Sequence, residues 1–174
     1  MLIASVCLTV SGCEGSQSSD GPEKGDALSG GNHSGGTAGY PFAAVGEKFW
    51  FAMPLSTNVS DQDIEITGAE ILDVPRGIEV IGYGAYSLDD TQGIPLLVSE
   101  GYVHTPKFGK FKDYSDEGFT VKAKKVSDFL YMAHLRVTGS IQTNASKCRF
   151  EYRQGDVMYT QTLRCGLELR LKKK

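Results

Sequence analysis

Lys147-Cys148-Arg149-Phe150-Glu151-Tyr152-Arg153, then Gln154-Gly155-Asp156-Val157, then the run from Met158 to Leu171: this stretch decides the fold. Two strand-like runs, Lys147–Arg153 and Met158–Leu171, flank a glycine-bearing turn, so they fold back on one another as antiparallel neighbours. With a four-residue turn at Gly155–Met158, Cys148 faces Cys165, Phe150 faces Leu163 and Tyr152 faces Gln161. The register predicts a cross-strand disulfide between Cys148 and Cys165. Closing a loop of this size stabilises a fold by about 3 kcal/mol on the chain-entropy account, so the bond is expected to be structural.

The same alternating pattern recurs upstream. Strand-like segments are expected at Glu47–Met53, Asp63–Leu72, Ile78–Tyr86, Ile94–Val98, Phe119–Ala123 and Asp128–Val137. In the last of these, Phe129, Tyr131, Ala133, Leu135 and Val137 share one face, the core face, while Leu130, Met132, His134 and Arg136 share the other. Ile64 and Ile66 alternate with Glu65 and Thr67, and Asp73-Val74-Pro75-Arg76-Gly77 supplies a turn into Ile78–Tyr86, which predicts a hairpin. Short, regularly spaced strands without long helical patterns predict an all-β fold, an antiparallel β-sandwich of about seven or eight strands. This pattern resembles the immunoglobulin-like sandwiches common in exported bacterial proteins. The cysteine spacing departs from a true immunoglobulin domain, because Trp50 precedes both cysteines instead of lying between them.

The domain is expected to span residues 40–174, where Phe42, Phe49, Trp50, Phe51 and Met53 arrive together. Before it, residues 14–39 are rich in Gly, Ser, Asp, Asn and Thr, with Leu28 as the large apolar residue. Such a segment buries too little surface to offset its ordering entropy and is expected to be a disordered tether. As a Gly/Ser-rich coil it would give a standoff on the order of 30 Å. His33 in this segment reads as a solvated residue, and the triplets beginning at Asn32, Asn58 and Asn144 as chance matches to a glycosylation pattern.

Residues 1–12 are an uncharged, largely apolar stretch with the character of a signal-peptide core. The segment Val10-Ser11-Gly12-Cys13 resembles the lipobox of bacterial lipoproteins. That resemblance implies cleavage before Cys13, removal of Cys7 with the leader, and attachment of a diacylglyceryl group to the Cys13 thiol. Small residues at 11 and 12 let an extended backbone enter a narrow peptidase site. The positive residues that open such leaders are missing from residues 1–12, so the true start is expected upstream. Lipid chains on Cys13 then make the membrane a partner and set the location: exported, lipid-anchored to the bacterial cell membrane, on its extracytoplasmic face.

The composition narrows the function. The chain is 40% hydrophobic and 22% charged, within the range of globular proteins. Its net charge of -3 gives no reason to expect nucleic acid as a partner. No G-x-S-x-G turn, phosphate-cradling glycine loop, C-x-x-C or H-E-x-x-H occurs, so no catalytic residue, metal site or cofactor is assigned. Met132 and His134 share a strand face with copper-compatible chemistry, and Asp89-Asp90 or Asp113, Asp116 and Glu117 offer calcium-compatible oxygens. An exposed strand face and solvated turns are the simpler readings of both.

Two segments carry candidate ligand contacts. Gly82-Tyr83-Gly84-Ala85-Tyr86 leaves bare backbone beside Tyr83 and Tyr86, which suits a flat ligand or close packing. His104–Tyr114 interleaves Lys107, Lys110 and Lys112 with Phe108, Phe111 and Tyr114, which suits an anionic envelope polymer, a protein partner, or anchorage of the loop to the core. Lys172–Lys174 read as a solvated tail. The leading expectation is a non-catalytic interaction or accessory module at the envelope; the alternative is an extracytoplasmic solute or metal carrier.

Overall fold

The computed structural model describes residues 21–30, 36–91, 93 and 95–173. The lipobox with Cys13, together with Cys7, Asn32 and His33, lies outside them. The strands are β1 (Glu23–Lys24), β2 (Leu28–Ser29), β3 (Thr37–Ala43), β4 (Lys48–Ala52), β5 (Thr57–Asn58), β6 (Ile64–Leu72), β7 (Ile78–Ser87), β8 (Leu97–Ser99), β9 (Phe119–Val121), β10 (Phe129–Val137), β11 (Ala145–Gln154) and β12 (Val157–Leu171). One helical turn, α1 (Leu88–Thr91), and a 3-10 turn at Phe108–Lys110 interrupt them.

The architecture is an all-β sandwich. One sheet runs β1-β12-β11-β6-β9, with β3 also on β12, and the other runs β7-β10-β4-β8. A small pair, β2–β5, lies apart. Alternation explains the layers. Phe49 and Phe51 of β4 and Tyr131, Ala133, Leu135 and Val137 of β10 are buried against Ile64 and Ile66 of β6, Phe150 and Tyr152 of β11 and Leu167 and Leu169 of β12. The core face expected for Phe129–Val137 is therefore the face turned to the other sheet, and each fully buried Leu, Ile or Phe there contributes about 1.5–3 kcal/mol of burial.

The disulfide forms between Cys148 and Cys165, with Cα atoms 5.7 Å apart. Its register differs from the expected one. The turn has two residues, Gly155 and Asp156, so Gln154 pairs with Val157, Cys148 with Leu163, Phe150 with Gln161 and Tyr152 with Tyr159. Gly155 adopts φ +59°, the conformation that a tight hairpin favours at its first central position. A slip of two residues keeps every side chain on its face. An irregularity between Ala145 and Lys147 then brings Cys165 diagonally within reach of Cys148. The bond joins neighbouring strands of one sheet, unlike the bridge between sheets of antibody domains.

Three further expectations are corrected. β6 and β7 do not form a hairpin: they belong to different sheets, and Asp73–Gly77 is an arch between layers. Its Asp73 takes φ 53°, and Tyr83 of β7 reaches across to accept a hydrogen bond from the Ile71 N–H at 2.9 Å. A Pro/Gly turn between alternating strands suits either geometry, so local sequence does not separate them. Nor is the sandwich wholly antiparallel, because β1 and β3 lie parallel to β12 along one edge. Pro41 in β3 cannot donate to a ladder, which suits an outermost strand.

The segment expected to be a tether is in part folded. Residues 21–30 and 36–39 belong to the fold, and Ala27 and Leu28 are buried. What offsets the poor apolar content is side-chain pairing. The Ala27 N–H donates to Tyr152 Oη at 3.1 Å, the Leu28 N–H donates to Gln161 Oε1 at 2.8 Å, and Gln161 Nε2 donates to the Leu28 carbonyl at 2.6 Å. Gln161 thus acts toward Leu28 as one more rung of a sheet. Tyr152→Phe leaves the buried Ala27 N–H without this acceptor, a change that costs about 1–3 kcal/mol. The expected result is faster amide exchange at residues 21–30 than in wild type; unchanged exchange there would show that the contact holds nothing.

Candidate interaction face

The four-stranded sheet has a second, outward face, and alternation along β4 and β10 decides what it carries. Lys48 and Trp50 point outward because Phe49 and Phe51 point inward, and His134 lies directly across from Trp50 in register. Their rings stack 4.1 Å apart and nearly parallel. The segment after β8 folds back over this face. Phe108 in the 3-10 turn is buried 4.5 Å from the Trp50 ring and 4.9 Å from Tyr86, with Ala52, Leu130 and Met132 beneath. Gly84 is required here: a Cβ at this position would sit 2.5 Å from Tyr86 Oη. Burial pushes the Tyr86 phenol up to about 12, with the Asp113 carboxylate adding to the shift.

The five candidate ligand contacts are thereby placed in separate surroundings. Tyr86, Phe108 and Phe111 come together under the loop. Tyr83 points toward the other sheet and bonds Ile71. Tyr114 packs edge-on against Phe129 at 4.8 Å, with Lys112 Nζ 4.5 Å from its ring centre. Met132 and His134 do share a face, with Met132 fully buried and His134 stacked on Trp50. Asp113 Oδ1 accepts from the Ala85 and Ser115 N–H groups, while Glu117 pairs with Lys112 at 2.9 Å. Among the described residues, no group of three or more His, Cys, Asp or Glu side chains converges as a metal site.

The packing also shifts His134. Burial lowers its affinity for a proton, and Glu100, whose Oε2 lies 3.5 Å from Nε2, offsets this only in part. Lys48 and Arg136 add to the lowering. The folded domain therefore holds a neutral imidazole where the unfolded chain titrates near 6.5. The unfolded state binds the extra proton first, so this contribution is present above about pH 6.5 and is lost as pH falls through the depressed folded value. Thermal midpoints of wild type and His134→Gln at pH 7.5 and pH 5 check this: the wild type is expected to lose more on acidification, and parallel losses would exclude His134.

Beyond this covered face, the sandwich ends in an uncovered one. The four most exposed large apolar residues described are Val103 (83%), Val45 (65%), Phe42 (63%) and Tyr102 (57%). Strand register places them at the same end. Phe42 precedes Ala43, which ends β3 in register with Leu171, Val45 lies in the turn into β4, and Tyr102 and Val103 follow β8, whose Ser99 pairs with Phe49 near the start of β4. The Lys172 N–H donates to the Ala43 carbonyl at 3.0 Å, and the Gly46 N–H to the Val137 carbonyl at 2.7 Å, so the segment after β12 and the end of β10 join them. Tyr40 supports the group from below, 5.2 Å from the buried Phe49 ring and edge-on to Phe42 at 6.3 Å.

These residues, with Trp50, Lys48 and Glu100, are what the sequence reading missed. The signal was present for Trp50 and Lys48 in the alternation of Glu47–Met53. No local signal marks Phe42, Val45, Tyr102 or Val103 as uncovered, since exposure at a sheet end depends on which loops pack over it. A separate cleft of about 320 Å³ opens between the two sheets, lined by Ala38, Phe51, Met53, Leu88, Leu130 and Cys165 among others.

No family model matches the chain, and no curated protein does. Among solved structures it is similar to the VesB protease of Vibrio cholerae, with 12% sequence identity and a TM-score of 0.34, over 75% of this chain and 29% of that one. The chain thus spans under a third of that protein's length. A likeness this distant bears on neither fold nor activity. Among the described residues, no helix is long and apolar enough to cross a membrane.

Proposed function

We propose that this chain is a lipoprotein of the bacterial envelope, lipidated at Cys13 on the extracytoplasmic face of the membrane, whose β domain is a non-catalytic interaction module. The observation that carries the second half is the clustering of Phe42, Val45, Tyr102 and Val103 at one end of the sandwich. Apolar side chains gathered at one exposed site are what protein recognition uses, whereas scattered ones need no explanation. The first half is supported by the Val10-Ser11-Gly12-Cys13 pattern, and the disulfide suits an oxidising compartment.

Metabolic labelling with an alkyne fatty acid, compared between wild type and Cys13→Ala expressed from the native locus, tests the anchor. Label and membrane association are expected to disappear together in the variant; equal label in both overturns the assignment. For the module, a photo-crosslinking residue placed at position 103 in intact cells is expected to give a discrete adduct that the same residue at the hairpin position 157 does not. The aliphatic cleft favours a second reading, a carrier of an apolar solute. Native mass spectrometry of protein purified from envelopes decides it: a retained small molecule supports a carrier, and bare protein excludes it.

A further inference from the structure

The direction in which the chain enters the domain fixes which end a lipid anchor can hold. Glu23 and Lys24 pair with Tyr159 and Thr160, next to the tight turn at Gly155–Asp156. Phe42, Val45 and Lys172 gather at the other extremity of β12, beyond Leu171. At about 3.3 Å per residue these two ends of β12 are about 40 Å apart. From Cys13 to Gly21 the chain spans about 28 Å even at full stretch. The anchor therefore keeps the turn end near the bilayer, and an upright domain carries Phe42 and Val103 away from it.

Charge at this far end narrows what it meets. Lys48 is paired with Glu100, Arg136 with Glu79 and Arg170 with Glu168. Arg76, Lys172 and Lys173 have no ion-pair partner among the described residues, and Lys107 and Lys110 lie in the loop that follows Val103. Opposing them are the carboxylates of Asp73 and of Glu47, the latter accepting from the Ala44 N–H. The balance is positive on a chain whose net charge is -3.

We infer that this end is a docking face turned away from the anchoring membrane, and that it receives a protein whose apolar surface is rimmed by carboxylates. The inference rests on lipidation at Cys13. An exposed apolar centre within a cationic rim matches that partner in both shape of contact and sign of charge. The bilayer to which the chain is tied has the same negative sign and lies at the wrong end.

Two measurements on the full lipidated chain test this. A donor dye is attached to Val103→Cys or to Asp156→Cys, and energy transfer is read to an acceptor lipid in phosphatidylethanolamine–phosphatidylglycerol vesicles. Transfer is expected to be several-fold stronger from position 156; equal or stronger transfer from position 103 means that the apolar end lies on the bilayer and overturns the inference. The second is the yield of the position-103 crosslink in cells. It is expected to fall at least fivefold in Lys172→Glu/Lys173→Glu with the thermal midpoint unchanged. An unaltered yield removes the acidic partner, and an adduct composed of two copies of this chain replaces it with self-association. Fatty-acid label at Cys13, read on the same samples, reports on the anchor alone: its absence overturns the lipoprotein reading together with the orientation, while its presence with the wrong transfer order overturns the orientation only.

Discussion

Replacing Cys148 and Cys165 together by Ala is expected to lower the stability of the domain by about 3 kcal/mol, the value for a closed loop of roughly this length. The separation is 17 residues, both side chains are buried, and the bond ties the two strands that carry most of the six-stranded sheet's inner face. For a chain of this size the thermal midpoint should drop by about 10 °C. Removing two buried sulfur atoms also leaves a small void, so the loss will not fall below the entropic figure. Differential scanning calorimetry of wild type and double variant measures it. A drop under about 2 °C would mean that the bond constrains nothing that the strands do not already fix.

Phe108→Ala is expected to cost about 3–5 kcal/mol, the range for truncating a fully buried Phe. Its ring holds the segment between β8 and β9 against Trp50 and Tyr86, so the variant should also uncover the indole. Trp50 is the single Trp of the chain, which makes the readout specific. Its emission should shift to the red in the folded variant at 10 °C, where melting does not interfere. Unchanged emission with unchanged stability would show that Phe108 is not an anchor and would return it to the set of free ligand contacts.

The layered all-β fold was legible because alternation is a local property. Phe129–Val137 announces its buried face residue by residue, and the cysteines at 148 and 165 announce their bond whichever even register the hairpin takes. What was not legible depends on pairing between distant segments. Gly155 could open a two-residue or a four-residue turn, and only the bulge near Ala145 reconciles the tighter choice with the disulfide. The arch at Asp73–Gly77 reads like a hairpin because a turn does not record which sheet receives the next strand. Residues 21–30 read as tether because the groups that hold them, Tyr152 and Gln161, lie more than 120 positions away. The candidate site followed the same division. Tyr86 and the pair Phe108 and Phe111 were named in two separate segments and meet only in the fold, and the uncovered end at Phe42 and Val103 emerged only from the way four strands terminate together.

On the proposed function, this uncovered end binds a partner and does not serve the fold. A Phe42→Asp/Val103→Asp variant, expressed with its lipid anchor, tests it most directly when quantitative affinity capture from crosslinked envelopes is compared with wild type. A thermal midpoint within about 2 °C of wild type is expected, as exposed substitutions allow, together with at least a tenfold loss of the captured partner. Equal capture by the two proteins, at equal stability, would contradict it.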